Sequence, residues 1–77
     1  MNNMYEGDRV IVVDVRNMMN KNIHLGDKGT VIACDDKYTY LVEFDRNING
    51  HSADSFGEEG HCAFIRRNRV RKLLEEA

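Results

Sequence analysis

Residues 38–45 read Tyr-Thr-Tyr-Leu-Val-Glu-Phe-Asp, the clearest alternation of apolar and polar side chains in the chain. Tyr40, Val42 and Phe44 share one face at a period of two, and the other face carries a hydroxyl and two carboxylates. A period of two is typical of a β-strand with one buried face. These residues therefore predict a strand with an apolar face turned toward a core.

Further β segments lie on both sides of this strand, separated by glycine and Asx turns. The first, residues 9–15, has β-branched side chains at both even and odd positions, which predicts a strand covered on two faces. A polar loop of residues 17–25, with four apolar side chains, follows it. The remaining predicted strands are residues 28–34, 61–65 and 70–73.

Two connections complete this layout. Residues 46–60 show no strand or helix pattern, and a structureless loop of this length is often functional. Residues 66–69 predict one helical turn before the last strand. The alternative for residues 68–76 is a helix, because Val70, Leu73 and Leu74 also fit helical spacing. The layout predicts an all-β fold: a small five-stranded SH3-like barrel, with a long loop before strand 4 and one helical turn before strand 5.

The 77 residues predict one small domain, 1–77, with the barrel at about 6–73 and short terminal tails. This length excludes a two-domain enzyme. A chain this short buries little surface, so a homo-oligomer is a reasonable expectation. The longest apolar run is residues 10–13, far below the roughly twenty residues of a membrane span, and residues 1–6 have no secretion pattern. We expect a cytoplasmic protein with reduced thiols at Cys34 and Cys62.

Charge is distributed unevenly along the chain. Residues 1–60 carry a formal charge of −5 and residues 61–77 carry +3, which gives the net charge of −2. The late cations all fall within residues 66–72, a basic patch that can attract phosphates, anionic ligands or an acidic protein surface. The alternative is a solvated face that balances the acidic turns.

Several motifs carry a resemblance to known domains. Residues 7–11, 25–32 and 40–45 read Gly-Asp-Arg-Val-Ile, Leu-Gly-Asp-Lys-Gly-Thr-Val-Ile and Tyr-Leu-Val-Glu-Phe-Asp, which resembles the rhythm of KOW-like and mind-bomb-type SH3-like domains. The Gly-His pair at 50–51 and the Gly-His-Cys run at 60–62 are similar to motifs of small SH3-like barrel proteins of bacteriophages that infect Gram-positive bacteria. The resemblance implies a fold and a location in the host bacterial cytosol, and it implies no reaction.

Catalytic and metal chemistry can be tested on residue types and spacing. His51, Asp54, His61, Cys62 and Cys34 are all zinc-ligand types, but their spacing does not match the paired ligands of a structural zinc site. Cys62 with a histidine base would supply the groups for covalent catalysis, yet adjacent strand residues point to opposite faces. We therefore predict no enzyme, no catalytic residues, no metal site and no cofactor, with the histidines hydrogen-bonding the glycine-rich loop.

Three binding functions fit the loop and the basic patch. The chain is predicted to be a phage-type module that modulates host physiology or defence by binding a host protein or by sequestering an anionic small ligand such as a nucleotide. A protein partner would use Ile48, Phe56 and the Met18-Met19 pair as apolar anchors. The alternative is a KOW-like nucleic-acid-binding domain that uses the patch at 66–72, with Tyr38, Tyr40 or Phe56 as stacking surfaces. The predicted ligand-binding residues are Arg46, His51, Asp54, Phe56, His61, Arg66, Arg67, Arg69 and Arg71.

Overall fold

The computed structural model describes residues 4–18, 20–50 and 58–73. The elements in these residues are β1 Arg9–Val12, β2 Lys28–Asp36, β3 Thr39–Phe44, β4 Cys62–Arg66, a 3-10 turn Arg67–Arg69 and β5 Val70–Lys72. The all-β class, the five strands and the single helical turn before the last strand are confirmed. The last strand also decides against the helical alternative as far as residue 73.

The five strands form one antiparallel sheet in the order β4-β3-β2-β1-β5. β4 and β5 therefore lie at the two ends of the sheet, and the described strands do not close into a hydrogen-bonded barrel. β2 connects the two halves because its residues 28–30 pair with β1 while residues 29–36 pair with β3, with two irregularities in register. Gly29 makes the crossing possible, since a Cβ there would stand 2.7 Å from the backbone oxygen of Glu43.

One face of the sheet forms the core. Tyr40, Val42 and Phe44 are buried, as the alternation of β3 predicts. In β1 only Val10 and Val12 are buried, whereas Ile11 is half-buried, so the prediction that both faces of this strand are covered is wrong. The core cluster consists of Met4, Val10, Val12, Ile23, Val31, Tyr40, Val42, Phe44, Ile48, Ala63, Ile65 and Val70.

β1 ends at Val12, three residues earlier than predicted. The backbone N–H groups of Val13 and Asp14 both donate to the Arg69 carbonyl, at 2.8 and 3.3 Å. The chain after β1 is therefore attached to the 3-10 turn and not to a strand ladder. β2 instead extends two residues beyond its predicted end, to Asp36.

The described ends of the long 46–60 connection are anchored to the fold. The N–H groups of Ile48 and Gly50 donate to the Gly60 carbonyl at 3.0 and 2.9 Å. Ile48 itself is fully buried in the core. Its predicted role as an exposed anchor for a partner protein is therefore wrong, because its side chain already has an internal packing role.

Among the described residues, no helix has the length and apolar character needed to cross a membrane.

Candidate functional site

A groove of about 610 Å³ lies where the chain passes from β4 through the 3-10 turn into β5. It combines cationic side chains with an exposed aromatic ring and a small apolar surface. Its lining residues are Val13, Tyr38, Arg66, Arg67, Asn68, Val70 and Arg71. Three of the predicted ligand-binding residues, Arg66, Arg67 and Arg71, therefore come together here.

Strand alternation exposes two of these arginines. Arg66 is the last residue of β4 and follows the buried Ile65, so its side chain leaves the sheet on the solvent side. Arg71 follows the buried Val70 in β5 and is likewise exposed. The 3-10 turn between the two strands brings both side chains to one groove. We call Arg66 and Arg71 the groove arginines.

Neither groove arginine forms an ion pair or a side-chain hydrogen bond within the described ranges 4–18, 20–50 and 58–73. Four other arginines do pair with carboxylates, and we call them the paired arginines. Their contacts are Arg9 to Asp45 at 2.5 Å, Arg16 to Asp14 at 2.7 Å, Arg46 to Asp27 at 2.6 Å and Arg69 to Asp14 at 2.9 Å. The groove thus concentrates positive charge that the described acidic residues do not neutralise.

Arg67 braces one wall of the groove. Its backbone N–H donates to the Tyr38 carbonyl at 2.7 Å. Its guanidinium Nη1 donates to the Lys37 carbonyl at 3.1 Å. These contacts join the 3-10 turn to the β2–β3 turn, so Arg67 holds the position of Tyr38 as well as lining the groove.

Arg69 belongs to a different environment although it is only two residues from Arg71. Its side chain is 20% exposed and contacts Asp14, which Arg16 also contacts. Hydrogen bonds from Arg16, with a smaller contribution from the charge of Arg69, hold the pKa of Asp14 well below its ordinary value. The structure therefore places Arg69 outside the groove, within an internal ion-pair cluster.

Arg46 also has internal partners. Nε and Nη2 donate to the two oxygens of Asp27 at 3.0 and 2.6 Å, and Nη2 also donates to the Asn22 carbonyl. The hydrogen bonds from Arg46, followed by one from the backbone N–H of His24, lower the pKa of Asp27. Arg46 joins the β1–β2 connection to the β3–β4 connection and does not line the groove.

His61 and Cys62 interact with Glu58 and with backbone oxygens. Nδ1 of His61 lies 2.8 Å from the Phe44 carbonyl, and Nε2 lies 3.2 Å from Oε2 of Glu58. The buried Cys62 thiol donates to the Glu58 carbonyl at 3.7 Å. Nε2 of His61 therefore engages Glu58 of the loop, as the sequence predicted for this histidine, whereas Nδ1 faces the end of β3. The described residues contain no group of three or more His, Cys, Asp or Glu placed to hold a metal ion.

The remaining predicted contact residues differ in burial and in whether they line the groove. His51, Asp54 and Phe56 lie outside the described residues. Tyr40 is only 4% exposed, so its predicted role as a stacking surface is wrong. Met18 packs against the core and is half-buried. Tyr38, which the sequence marked as one of three possible stacking rings, lines the groove and is 55% exposed.

Val13 and Asn68 also line the groove and had no sequence signal of a site. Val13 fell inside a strand that was predicted to be covered on two sides, and its exposure follows from the early end of β1. Asn68 lies inside the basic patch at 66–72, which was identified in the sequence only by its cationic residues. Both residues lie where the hydrogen bonds from the Val13 and Asp14 N–H groups to the Arg69 carbonyl join the end of β1 to the 3-10 turn.

No protein-family model, curated protein or solved structure matches this chain. The resemblance to bacteriophage SH3-like proteins therefore rests on the sequence motifs alone and stays a prediction. The candidate site is defined by its own geometry: an open groove with two groove arginines, an exposed tyrosine and a braced turn.

Proposed function

We propose that this chain is a non-enzymatic binding module whose groove holds a small anionic ligand. The observation that carries the proposal is the environment of Arg66 and Arg71, which share one groove and pair with no carboxylate among the described residues. Guanidinium groups present planar forks of N–H donors that match phosphate and carboxylate oxygens. An anion that entered the groove would meet both forks at once.

The choice between an anionic ligand and a host protein follows from what lines the surface. Of the four apolar anchors predicted for a protein partner, Ile48 is in the core, Met18 packs against it, and Met19 and Phe56 lie outside the described residues. The groove instead offers charge with a small apolar surface from Val13 and Val70. In the bacteriophage setting implied by the sequence motifs, such a module would withdraw an anionic metabolite of the host cell.

The experiment is a calorimetric titration of the full chain with ribose 5-phosphate at an ionic strength of about 0.15 M. The test variant is Arg66→Gln/Arg71→Gln. Its matched control is Lys28→Gln/Lys72→Gln, which removes the same formal charge from residues that do not line the groove. We expect the test variant to bind at least about tenfold more weakly, because a hydrogen bond to a charged group contributes about 1.5–3 kcal/mol.

The control variant should retain affinity within about twofold, because at an ionic strength of about 0.15 M charges farther than about 8 Å from the anion are largely screened. Equal weakening in both double variants would mean that net charge and not the groove holds the anion, and it would overturn the proposal. Absence of binding by the wild-type chain would overturn it as well.

A further inference from the structure

The aromatic wall of the groove carries a second recognition element beside the arginines. Tyr38 lines the groove with 55% of its surface exposed, whereas Tyr40, two residues later, is buried. Thr39 pairs with Arg66 in the β3–β4 register, so Tyr38 stands one step beyond the position opposite that arginine. An exposed ring beside an exposed guanidinium offers a flat apolar surface and a charge within one site.

The backbone around Tyr38 is fixed before any ligand arrives. Its N–H donates to Oδ1 of Asp36 at 2.7 Å, and its carbonyl accepts the Arg67 N–H at 2.7 Å. The neighbouring Lys37 carbonyl accepts a hydrogen bond from the Arg67 guanidinium. A wall held in this way loses little freedom when a ligand binds, which favours affinity.

Lys37 contacts the Tyr38 ring without lining the groove. Its Nζ lies 5.1 Å from the ring centroid, within the range of a cation–π contact. Lys37 does not line the groove, while Tyr38 does. The exposed ring thus offers a planar group in the groove a surface on which to stack.

We infer that the ligand is a nucleoside phosphate, with its base stacked on the exposed ring of Tyr38 and its phosphate held by Arg66 and Arg71. The inference rests on the proposed anion-binding function and names the class of anion. The exposed Asn68 amide, which can both donate and accept, adds a group able to bond a base edge. An aromatic ring and two arginine forks in one groove match the two chemically different halves of a nucleotide.

A free nucleotide fits the surroundings better than a nucleic-acid strand. The groove volume of about 610 Å³ lies in the usual range for small-molecule sites. The formal charge of −5 on residues 1–60 would repel the phosphates of an extended backbone beyond the groove. The ligand is therefore a single nucleotide, and the experiment must distinguish it from a nucleic-acid strand.

The experiment compares adenosine 5′-monophosphate, ribose 5-phosphate, adenosine and a hexadeoxyadenylate strand as calorimetric titrants of the full chain. The variants are Tyr38→Leu, Tyr38→Phe and the control Tyr5→Leu, which changes an exposed tyrosine that does not line the groove. We expect the monophosphate to bind about tenfold more tightly than ribose 5-phosphate, since stacking of a base on an aromatic ring contributes about 1–3 kcal/mol. Tyr38→Leu should abolish this preference, and Tyr38→Phe and Tyr5→Leu should keep it.

The outcomes separate the inference from the function on which it rests. Equal affinities for the monophosphate and ribose 5-phosphate, both dependent on Arg66 and Arg71, would overturn the nucleotide and leave the anion site standing. Failure of both phosphate compounds to bind would overturn the proposed function itself. Adenosine binding as tightly as its monophosphate, or a strand binding with a much steeper salt dependence than the monophosphate, would also contradict the inference.

Discussion

The paired arginines and the groove arginines are the same residue type in two different roles. Arg9 donates to both oxygens of Asp45 and Arg46 to both oxygens of Asp27, so each connects segments that are distant in the chain. Arg66 and Arg71 have no carboxylate partner within the described ranges and border an open groove. An arginine in a small β fold is therefore best assigned by its partners, because a guanidinium that stabilises the fold is already occupied.

Acidification should destabilise the fold, because it protonates the carboxylates that bind the paired arginines. The paired arginines and nearby N–H groups lower the pKa values of Asp14, Asp27 and Asp45. A carboxyl group whose pKa is lower in the folded state contributes stability above its unfolded pKa of about 3.9, and this contribution is lost as the pH falls through the folded value. We therefore expect the urea midpoint to fall between pH 6 and pH 3 by more than any single-arginine substitution lowers it.

The matched control for this pH dependence is Asp27→Asn. It should show a smaller acid-dependent loss than the wild-type chain, because one of the three carboxyl groups no longer titrates. Arg66→Gln and Arg71→Gln should leave the acid-dependent loss unchanged, since the described carboxylates pair with neither arginine. A urea midpoint that stayed constant or rose on acidification would refute the stabilising role of the paired arginines.

The strands of this fold could be predicted because their signals are local. The apolar residues at 40, 42 and 44 lie within one strand, and a period of two appears without knowledge of any partner. The residues after β4 likewise predicted a single turn, and the structure has the 3-10 turn there. Element bounds were less accurate, because β1 ends where the Arg69 carbonyl takes over the hydrogen bonds of Val13 and Asp14.

The site could be predicted only in part because its organisation is not local. Arg66, Arg67 and Arg71 were identified by their charge, but Arg46 and Arg69 had the same charge and belong to internal ion pairs. The Arg46–Asp27 pair spans 19 residues and the Arg9–Asp45 pair spans 36, and no pattern within one strand shows either pairing. Ile48 was misassigned for the same reason, since its burial depends on a loop that folds back onto Gly60.

Substitutions at positions 69 and 71 should separate the two roles by a smaller difference in stability. Arg69→Gln should lower the free energy of unfolding by about 1 kcal/mol, because it removes a part-buried partner of Asp14 that Arg16 replaces only incompletely. Arg71→Gln should change it by less than about 0.5 kcal/mol, as is usual for an exposed side chain outside an ion pair. Urea unfolding of the two variants provides the measurement. An equal loss in both would show that Arg71 stabilises the fold, against the role proposed for it.

The most direct measurement follows the arginine side chains themselves as a phosphate compound binds. In a ¹⁵N-labelled chain, the Nε–H resonances of Arg66 and Arg71 report on the groove, and those of Arg9 and Arg46 report on the ion pairs. On titration with adenosine 5′-monophosphate, the resonances of Arg66 and Arg71 should shift together along one binding curve, while those of Arg9 and Arg46 stay fixed. Shifts confined to Arg9 and Arg46, or no shift at any arginine, would contradict the assignment of the groove as the anion site.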